Sequence, residues 1–582
     1  MDGVGGFREW AAIDRIYPKE NRVETVNKRI MVGIESFEKL IDGDYYYIDK
    51  TPFIKELLDS RGDVTLITRP RRFGKTLNMS MLKSFLDIGK DSRGLFDGLN
   101  IMEHADICDK YLNKYPVISM SLKNIELSTF RDSVDRLKIL VSSVYRQYLY
   151  LCESAMLDEY QKRKFHRYCS EEATEAELHA ALIFLTECLY SYYGIRAIVL
   201  LDEYDTPIDA SVRWGYYDEM IRFMRGFLGS VFKTNEYLAF GLLTGVQRIS
   251  GESLFSSFNN PKICGIADAE FATCFGFTEE EVKAACEAFG AGDKFDEVRM
   301  WYDGYRFGGK DMYNPWSITR YLERRKIENY WVNTGSVHIL QDIFYDGDNN
   351  LRNDFAKLLT GTPITMSIED GITYPIKFVN TDTFWTLLLN AGYLKPCNGA
   401  KVDRFGAELV NMEVKDTLSR YAKKWLREQR PSMSETILEF VEYLLKGNTN
   451  GVSTVLNDKL LNSPSSHDLI AENSYHMFIY GMLLALSGKY LVFSNHESGK
   501  GRSDCAIKPI DNSGSAVVVE FKHVKTLPLA GLAKEAQEAL EQIEEKAYVN
   551  DLKREGYGHI LKYGIAFHKK SCEVAMVSEI VE

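Results

Sequence analysis

Apolar residues along the chain recur with two different periods, and the places where one gives way to the other outline the fold. Unbroken apolar runs at Val64-Thr-Leu-Ile-Thr68, Tyr115–Leu122, Ala197–Leu201 and Glu236–Gly245 predict strands buried on both faces. Between them, residues 77–86, 130–152 and 174–193 repeat their apolar positions at helical spacing. Strands alternating with helices predict a parallel sheet covered on both sides. Ahead of the first strand, Gly33–Ile41 and Pro52–Asp59 read as short helices, with β-type residues over Tyr45–Thr51 between them. Residues 275–400 shift toward aromatic and turn-forming types, and 410–465 are helical and charged. From 472 the order becomes helix, three strands, helix, strand, with the three strands at Tyr490–Glu497, Gly501–Ile507 and Ser515–Lys522.

Size and composition narrow the class. At 582 residues the chain is too long for one core and predicts about three or four domains. Charged residues at 26% and hydrophobic ones at 45% are ordinary for a globular protein. A formal net charge of −12 gives no bulk attraction to nucleic acid or an anionic membrane, so any nucleic-acid site must be a local basic groove. The ten cysteines are scattered singly, without a Cys-x-x-Cys pair, which argues against structural zinc and a disulfide framework. The first ten residues carry early charges and no apolar segment of the signal-peptide kind, and the most apolar run, Phe478–Leu486, is too short to span a bilayer. These features lead to the expectation of a soluble, cytoplasmic protein with no membrane partner.

The first candidate site is Arg69-Pro-Arg-Arg-Phe-Gly-Lys-Thr76, between the strand at Val64–Thr68 and the helix that follows. Strand, tight turn and helix in that order aim backbone N–H groups and the positive end of the helix dipole at a polyphosphate. Gly74 would allow close backbone approach, Lys75 would reach the outer phosphates and Thr76 would hold Mg²⁺; Arg69, Pro70, Arg71, Arg72 and Phe73 complete the expected ATP-binding loop. The general pattern asks for Gly where Arg69 stands, so only the Gly-Lys-Thr half matches. Downstream, Ala197-Ile-Val-Leu-Leu-Asp-Glu203 ends a buried strand on two acids, where ligands of such sheets bind. Asp202 would hold the Mg²⁺ of ATP, and Glu203 would orient or deprotonate the attacking water. Thr244, at the end of the next strand, and Arg248 after it are expected beside the phosphates, with Arg225 an equal alternative to Arg248. Tyr45 to Tyr47 would either stack a base or fill the core.

The second candidate site lies near the C-terminus. Strand residues alternate faces, so Glu520 and Lys522 point the same way, and Asp504 on a neighbouring strand would meet Glu520 around one hard cation. Two acids holding Mg²⁺ beside a lysine that positions or activates water suit phosphodiester hydrolysis. Other Glu-x-Lys pairs, at Glu281/Lys283, Glu413/Lys415 and Glu544/Lys546, fall in helical patterns.

Tyr47-Ile-Asp-Lys-Thr51, Thr68–Leu77, Leu201-Asp-Glu-Tyr-Asp-Thr-Pro207 and Trp301-Tyr-Asp-Gly-Tyr-Arg-Phe-Gly308 together resemble the AAA-ATPase-like family that carries a C-terminal PD-(D/E)xK nuclease domain. The resemblance extends from about residue 30 to 570, and the family shares the non-Gly first loop position. It implies an α/β fold: an N-terminal extension (1–29), a P-loop NTPase-like parallel-sheet domain (30–274), a helical and winged-helix-like linking region (275–400), a helical connector (401–465) and a restriction-endonuclease-like α/β domain (466–582). It also implies Glu472 as a helix-borne acid, with Gln542 and Tyr548 on the helix after the third strand. The expected activity is an ATP-binding, ATP-hydrolysing module coupled to a Mg²⁺-dependent nuclease acting on DNA rather than RNA. The alternative is a nucleotide-gated scaffold whose nuclease fold binds without cutting, and either reading admits a homo-oligomer.

Overall fold

The computed structural model describes residues 28–30, 32–249, 254, 261–331, 349–369, 371, 381–397, 404–429, 431–462, 479, 482, 483, 486, 490–498, 501–510, 514–524, 526 and 531–581. Glu472 lies outside these residues.

The N-terminal sheet is parallel throughout. Its strands are β1 (Val64–Thr68), β2 (Val117–Ser121), β3 (Ala197–Asp202), β4 (Leu238–Gly245) and β5 (Lys262–Cys264), in the spatial order β2-β3-β4-β1-β5. Alternate side chains feed two cores, as buried parallel strands require. Ile67, Ile198, Leu200 and Leu242 pack with Phe53 and Leu82 from helices Pro52–Ser60 and Lys75–Leu86. Leu66, Val199, Leu201 and Leu243 pack with Leu137, Leu185 and Phe227 from the long helices on the other face. Because β4 lies between β1 and β3, the carboxyl ends that carry the loop, Thr244 and Asp202 come side by side. Tyr45–Thr51 forms no strand; Tyr45 makes one isolated bridge to Arg29, and the Tyr47 ring packs edge-on against Phe37 at 5.6 Å. Aromatic residues read as β-type because they fill packed surfaces, and here they do so from a loop.

In the region after residue 275, helices Glu279–Ala288 and Phe295–Tyr302 precede a hairpin of β6 (Tyr305–Phe307) and β7 (Lys310–Met312). Helix Asn349–Thr360, β8 (Ile364–Met366), helix Thr381–Ala391, β9 (Leu394–Pro396) and β10 (Phe405–Leu409) follow, the three strands pairing antiparallel in the order β8-β10-β9. Three helices, Met412–Gln429, Pro431–Leu445 and Thr449–Asn462, lead to the C-terminal sheet.

That sheet contains β11 (Tyr490–Ser498), β12 (Gly501–Pro509), β13 (Ala516–His523), β14 (His559–His568) and β15 (Ser571–Ile580) in sequence order. Only β13 and β14 run parallel, joined across the face by helix Leu532–Glu545; the other neighbours are antiparallel. Val519, Phe521 and Ile565 pack toward Ile437, Leu444 and Leu456 of the connector helices, and Val518 packs toward Leu540 and Ile543 on the opposite face. The sequence pattern does not predict β15, whose half-exposed side chains hide the alternation expected of a strand. Tyr548 lies in the turn after helix Leu532–Glu545 rather than on it; the helix ends at Lys546, and the Tyr548 ring is buried beside Leu540 and Leu552.

A loop cavity and a strand-borne pair of acids

Between β1 and helix Lys75–Leu86 the chain turns through Arg72 (φ 67°) and Gly74 (φ 83°), both left-handed. A Cβ added at Gly74 would meet nothing within 4 Å, so the backbone here faces open space, and glycine takes this conformation without strain. The loop forms one wall of a cavity of about 370 Å³. Arg71, Arg72, Phe73, Gly74, Lys75 and Thr76 line it, together with Glu203. The Lys75 ammonium is buried and donates to the carbonyls of Arg69 and Pro70, each at 2.9 Å. Burial lowers its pKa, while Glu203, Asp202 and Asp205 opposite hold it up. Thr76 Oγ1 donates to Asp202 at 2.6 Å, and Thr244 donates to the other oxygen of the same carboxylate. Thr76, Asp202 and Thr244 are thus joined through one carboxylate across three strand ends. Glu203 sits next to them with a positive φ of 53°; burial raises its pKa and Lys75 counteracts this.

Four residues expected at the phosphates, Arg69, Pro70, Thr244 and Arg248, do not line the cavity. Arg69 does not line the cavity: its guanidinium is fully buried and donates to the carbonyls of Thr68, Cys264, Gly265, Glu270 and Phe271, over the rings of Phe275 and Phe307. Burial lowers its pKa to about 10. Where a glycine would leave space, this arginine braces β1 against β5, and the side chain of Pro70 likewise packs outside the cavity. Arg248 and Thr244 are also off the cavity wall, and Thr244 reaches it only through Asp202.

Other residues do reach it. Tyr46, Tyr47 and Ile48 line the cavity, as does Trp316 from helix Pro315–Arg324. The guanidiniums of Arg72 and Arg320 lie over the Trp316 ring, 4.4 and 4.9 Å from its centroid. From sequence, the Tyr313–Ser317 segment reads as packing; the structure brings it to the loop. Asp205, also unassigned from sequence, accepts from the backbone N–H groups of Val246 (2.8 Å) and Gln247 (2.7 Å) and so fixes the segment after β4. Its place three residues after Asp202, opening a helix, was the available signal.

At the C-terminal sheet, Cys505 stands opposite Val519, which makes Asp504 and Glu520 neighbours on adjacent strands. The Glu520 carboxylate approaches the Asp504 N–H at 3.4 Å, and Asp504 accepts from the Phe521 N–H at 2.7 Å. Burial raises the Asp504 pKa, and Lys546 partly offsets this. Gln542, on helix Leu532–Glu545, donates to Glu520. Lys522 shares their face, yet its ammonium pairs with Glu535 at 2.7 Å and with Glu538 rather than with the two acids. Among the described residues no third His, Cys, Asp or Glu joins Asp504 and Glu520 as a metal ligand. None of the ten cysteines is in a disulfide, and no helix among the described residues is long and apolar enough to cross a membrane.

Both regions match known families. Residues 31–255 match the family described as Predicted AAA-ATPase, and residues 470–576 match the PD-(D/E)XK nuclease superfamily. A protein of Azotobacter chroococcum mcd 1, described as an uncharacterized protein in the vnfD 5' region, is 27% identical over 563 residues, covering 94% of this chain and 98% of its own. The chain therefore joins a domain of the predicted AAA-ATPase family to a domain of the PD-(D/E)XK nuclease superfamily.

Proposed function

We propose that this protein is a Mg²⁺-dependent nuclease acting on DNA, controlled by an ATP-binding module that hydrolyses its nucleotide. The observation that carries the reading is the meeting of Asp504 and Glu520 on adjacent strands, with Gln542 on Glu520 and Lys522 on the same face. A buried and a half-buried carboxylate side by side suit one hard cation, which would also offset the burial that now disfavours the charge of Asp504. Bound Mg²⁺ would neutralise phosphate charge and acidify a water molecule. Asp504 and Glu520 would hold it, Gln542 would orient Glu520, and Lys522 would place its charge beside the attacked phosphodiester.

The loop cavity suits ATP. Its volume of about 370 Å³ lies in the range of small-ligand sites. The open backbone at Gly74 faces the phosphates, Lys75 reaches the outer ones, and Thr76 with Asp202 holds their Mg²⁺. Glu203, its carboxyl raised by burial, stands where a water proton would be accepted. ATP supplies the binding and hydrolysis energy that would alter the nuclease half. We further propose that the chain divides near residues 30, 275, 401 and 466, and that it works in the cytoplasm.

The pairing of Lys522 with Glu535 and Glu538 favours a second reading, in which the fold binds nucleic acid without cutting it. Incubating the full chain with single- and double-stranded DNA and RNA in Mg²⁺ discriminates the two. Cleavage of DNA that is lost in Asp504→Asn supports the nuclease; binding without cleavage supports the scaffold, and cleavage undiminished in Asp504→Asn overturns the site.

A further inference from the structure

Helix Met412–Gln429 carries two ionisable residues, the buried Glu413 and the half-buried Lys415, that the nucleotide and nuclease chemistry leaves unused. Glu413 is fully buried. One of its oxygens accepts from the Trp331 N–H at 2.6 Å and the other from Ser317 Oγ at 2.8 Å. Both partners connect to the Arg69–Thr76 loop. The Trp331 indole N–H donates to the Arg71 carbonyl at 3.0 Å, which the Asn314 amide also reaches at 3.3 Å. Ser317 directly follows Trp316, whose ring lines the cavity under Arg72. One carboxylate therefore fixes two segments that hold the loop, one by its backbone and one through the Arg72 side chain.

The same helix faces the other site. Lys415, two residues on, lies within electrostatic range of Cys505, the residue after Asp504 in β12, whose thiol burial pushes well above its ordinary value. Val414 and Leu418 belong to the same apolar core as Cys505, Ile507 and Phe521. A buried carboxylate is costly unless its hydrogen bonds repay it, and packed apolar side chains would fill this position more cheaply. Its position between the two sites gives a reason for retaining it.

We propose that Glu413 is a positioning residue that couples nucleotide binding at the Arg69–Thr76 loop to helix Met412–Gln429 and, through Lys415 and Val414, to the strand carrying Asp504. This coupling rests on the reading of the loop as an ATP site. Coupling is reciprocal, so a change at the helix must appear as a change in nucleotide affinity. The carboxylate serves in its charged form, which accepts from both donors at once; a protonated carboxyl or an amide would turn one donor toward Trp331 or Ser317. Burial raises the Glu413 pKa to about 7, which brings the switch into an accessible pH range. The ionisable groups around it are Tyr302, Tyr305 and Tyr330, whose hydroxyls burial pushes upward, with Lys415 and Asp416 on its own helix. Burial lowers Lys415 to about 8.

The test uses the full chain and MgATP. Calorimetric affinity is compared between pH 6 and pH 7.5 for wild type, Glu413→Gln and Ser317→Ala, and hydrogen exchange is followed by mass spectrometry with and without ATP. Expected are a weakening of roughly 5-fold or more in Glu413→Gln at pH 7.5, and a wild-type loss of affinity toward pH 6 that the variant lacks. ATP is also expected to change exchange in residues 412–429 and 501–509 of wild type but not of Glu413→Gln. Ser317→Ala, which keeps the carboxylate and removes one donor, should move in the same direction and carries the test should Glu413→Gln fold poorly. Absence of ATP binding by wild type overturns the functional reading and the coupling together. Normal binding with identical affinity, pH profile and exchange in the variants overturns the coupling alone.

Discussion

Replacing Glu413 by Gln should make the stability of the protein respond differently to pH, by an amount that follows from its burial. Burial pushes the folded carboxyl up from its ordinary 4.5 to about 7, with the bonds from Trp331 and Ser317 working against it. The folded state thus binds the proton more tightly than the unfolded state does. Its stability must fall as pH rises from about 4.5 to about 7, and the cost is complete above the folded value. The rise from 4.5 to about 7 corresponds to ~3 kcal/mol in total. Glu413→Gln removes this titration. The difference in unfolding free energy, variant minus wild type, should therefore increase by ~2.5 kcal/mol between pH 5 and pH 8. Urea unfolding followed by tryptophan fluorescence measures it, because Trp331 sits on the carboxylate, provided the transition of the linking region is resolved from the others. A difference that is flat with pH, or that shrinks toward pH 8, would refute the reasoning. A confirmed gain would also mean that wild type accepts lower stability for a buried charge, a trade often found where position matters more than stability.

Three further predictions follow from the geometry. Arg69→Lys keeps a charge but loses the planar fork that reaches five carbonyls, so thermal unfolding should show a destabilisation of roughly 2–4 kcal/mol; a shift within about 0.5 kcal/mol would contradict the bracing role. Gly304→Ala places a Cβ 1.9 Å from the Val410 carbonyl oxygen at a φ of 131°, and soluble expression or melting should reveal the loss of the linking-region fold, whereas a near-wild-type melting curve would refute the close approach. In Glu535→Gln/Glu538→Gln, Lys522 loses the partners that raise its pKa, so mass spectrometry should find it acylated faster at pH 8 than in wild type, and an unchanged rate would argue against the pair.

Much of this was legible in the sequence because burial writes strong patterns. The runs Val64–Thr68 and Ala197–Leu201 are buried on both faces and could hardly be anything but central parallel strands. The pairing of Asp504 with Glu520 followed from strand alternation, and β12 and β13 supply the register it required. Arg69 misled because a motif position carries no side-chain direction: an arginine at the end of β1 can turn toward a phosphate or into the carbonyls of Gly265 and Phe271. Trp316 and Glu413 were illegible for another reason. Their partners are Arg72, 244 positions away, and Trp331, 82 positions away, and no local periodicity reports contacts across such separations. Glu413/Lys415 looked like an ordinary solvated helical pair, and only the packing shows Glu413 fully buried and Lys415 half-buried. Lys522 was correctly placed on the face of Glu520, but its partners come from a helix whose docking angle the strand pattern does not encode.

The central claim, a nuclease under nucleotide control, is tested most directly by one experiment. Linear double-stranded and single-stranded DNA are incubated with the full chain in Mg²⁺, with and without ATP, using wild type, Lys75→Ala and Asp504→Asn. The account predicts Mg²⁺-dependent cleavage by wild type that changes on adding ATP, cleavage by Lys75→Ala that ignores ATP, and none by Asp504→Asn. Cleavage that persists in Asp504→Asn, or a response to ATP that persists in Lys75→Ala, would contradict it.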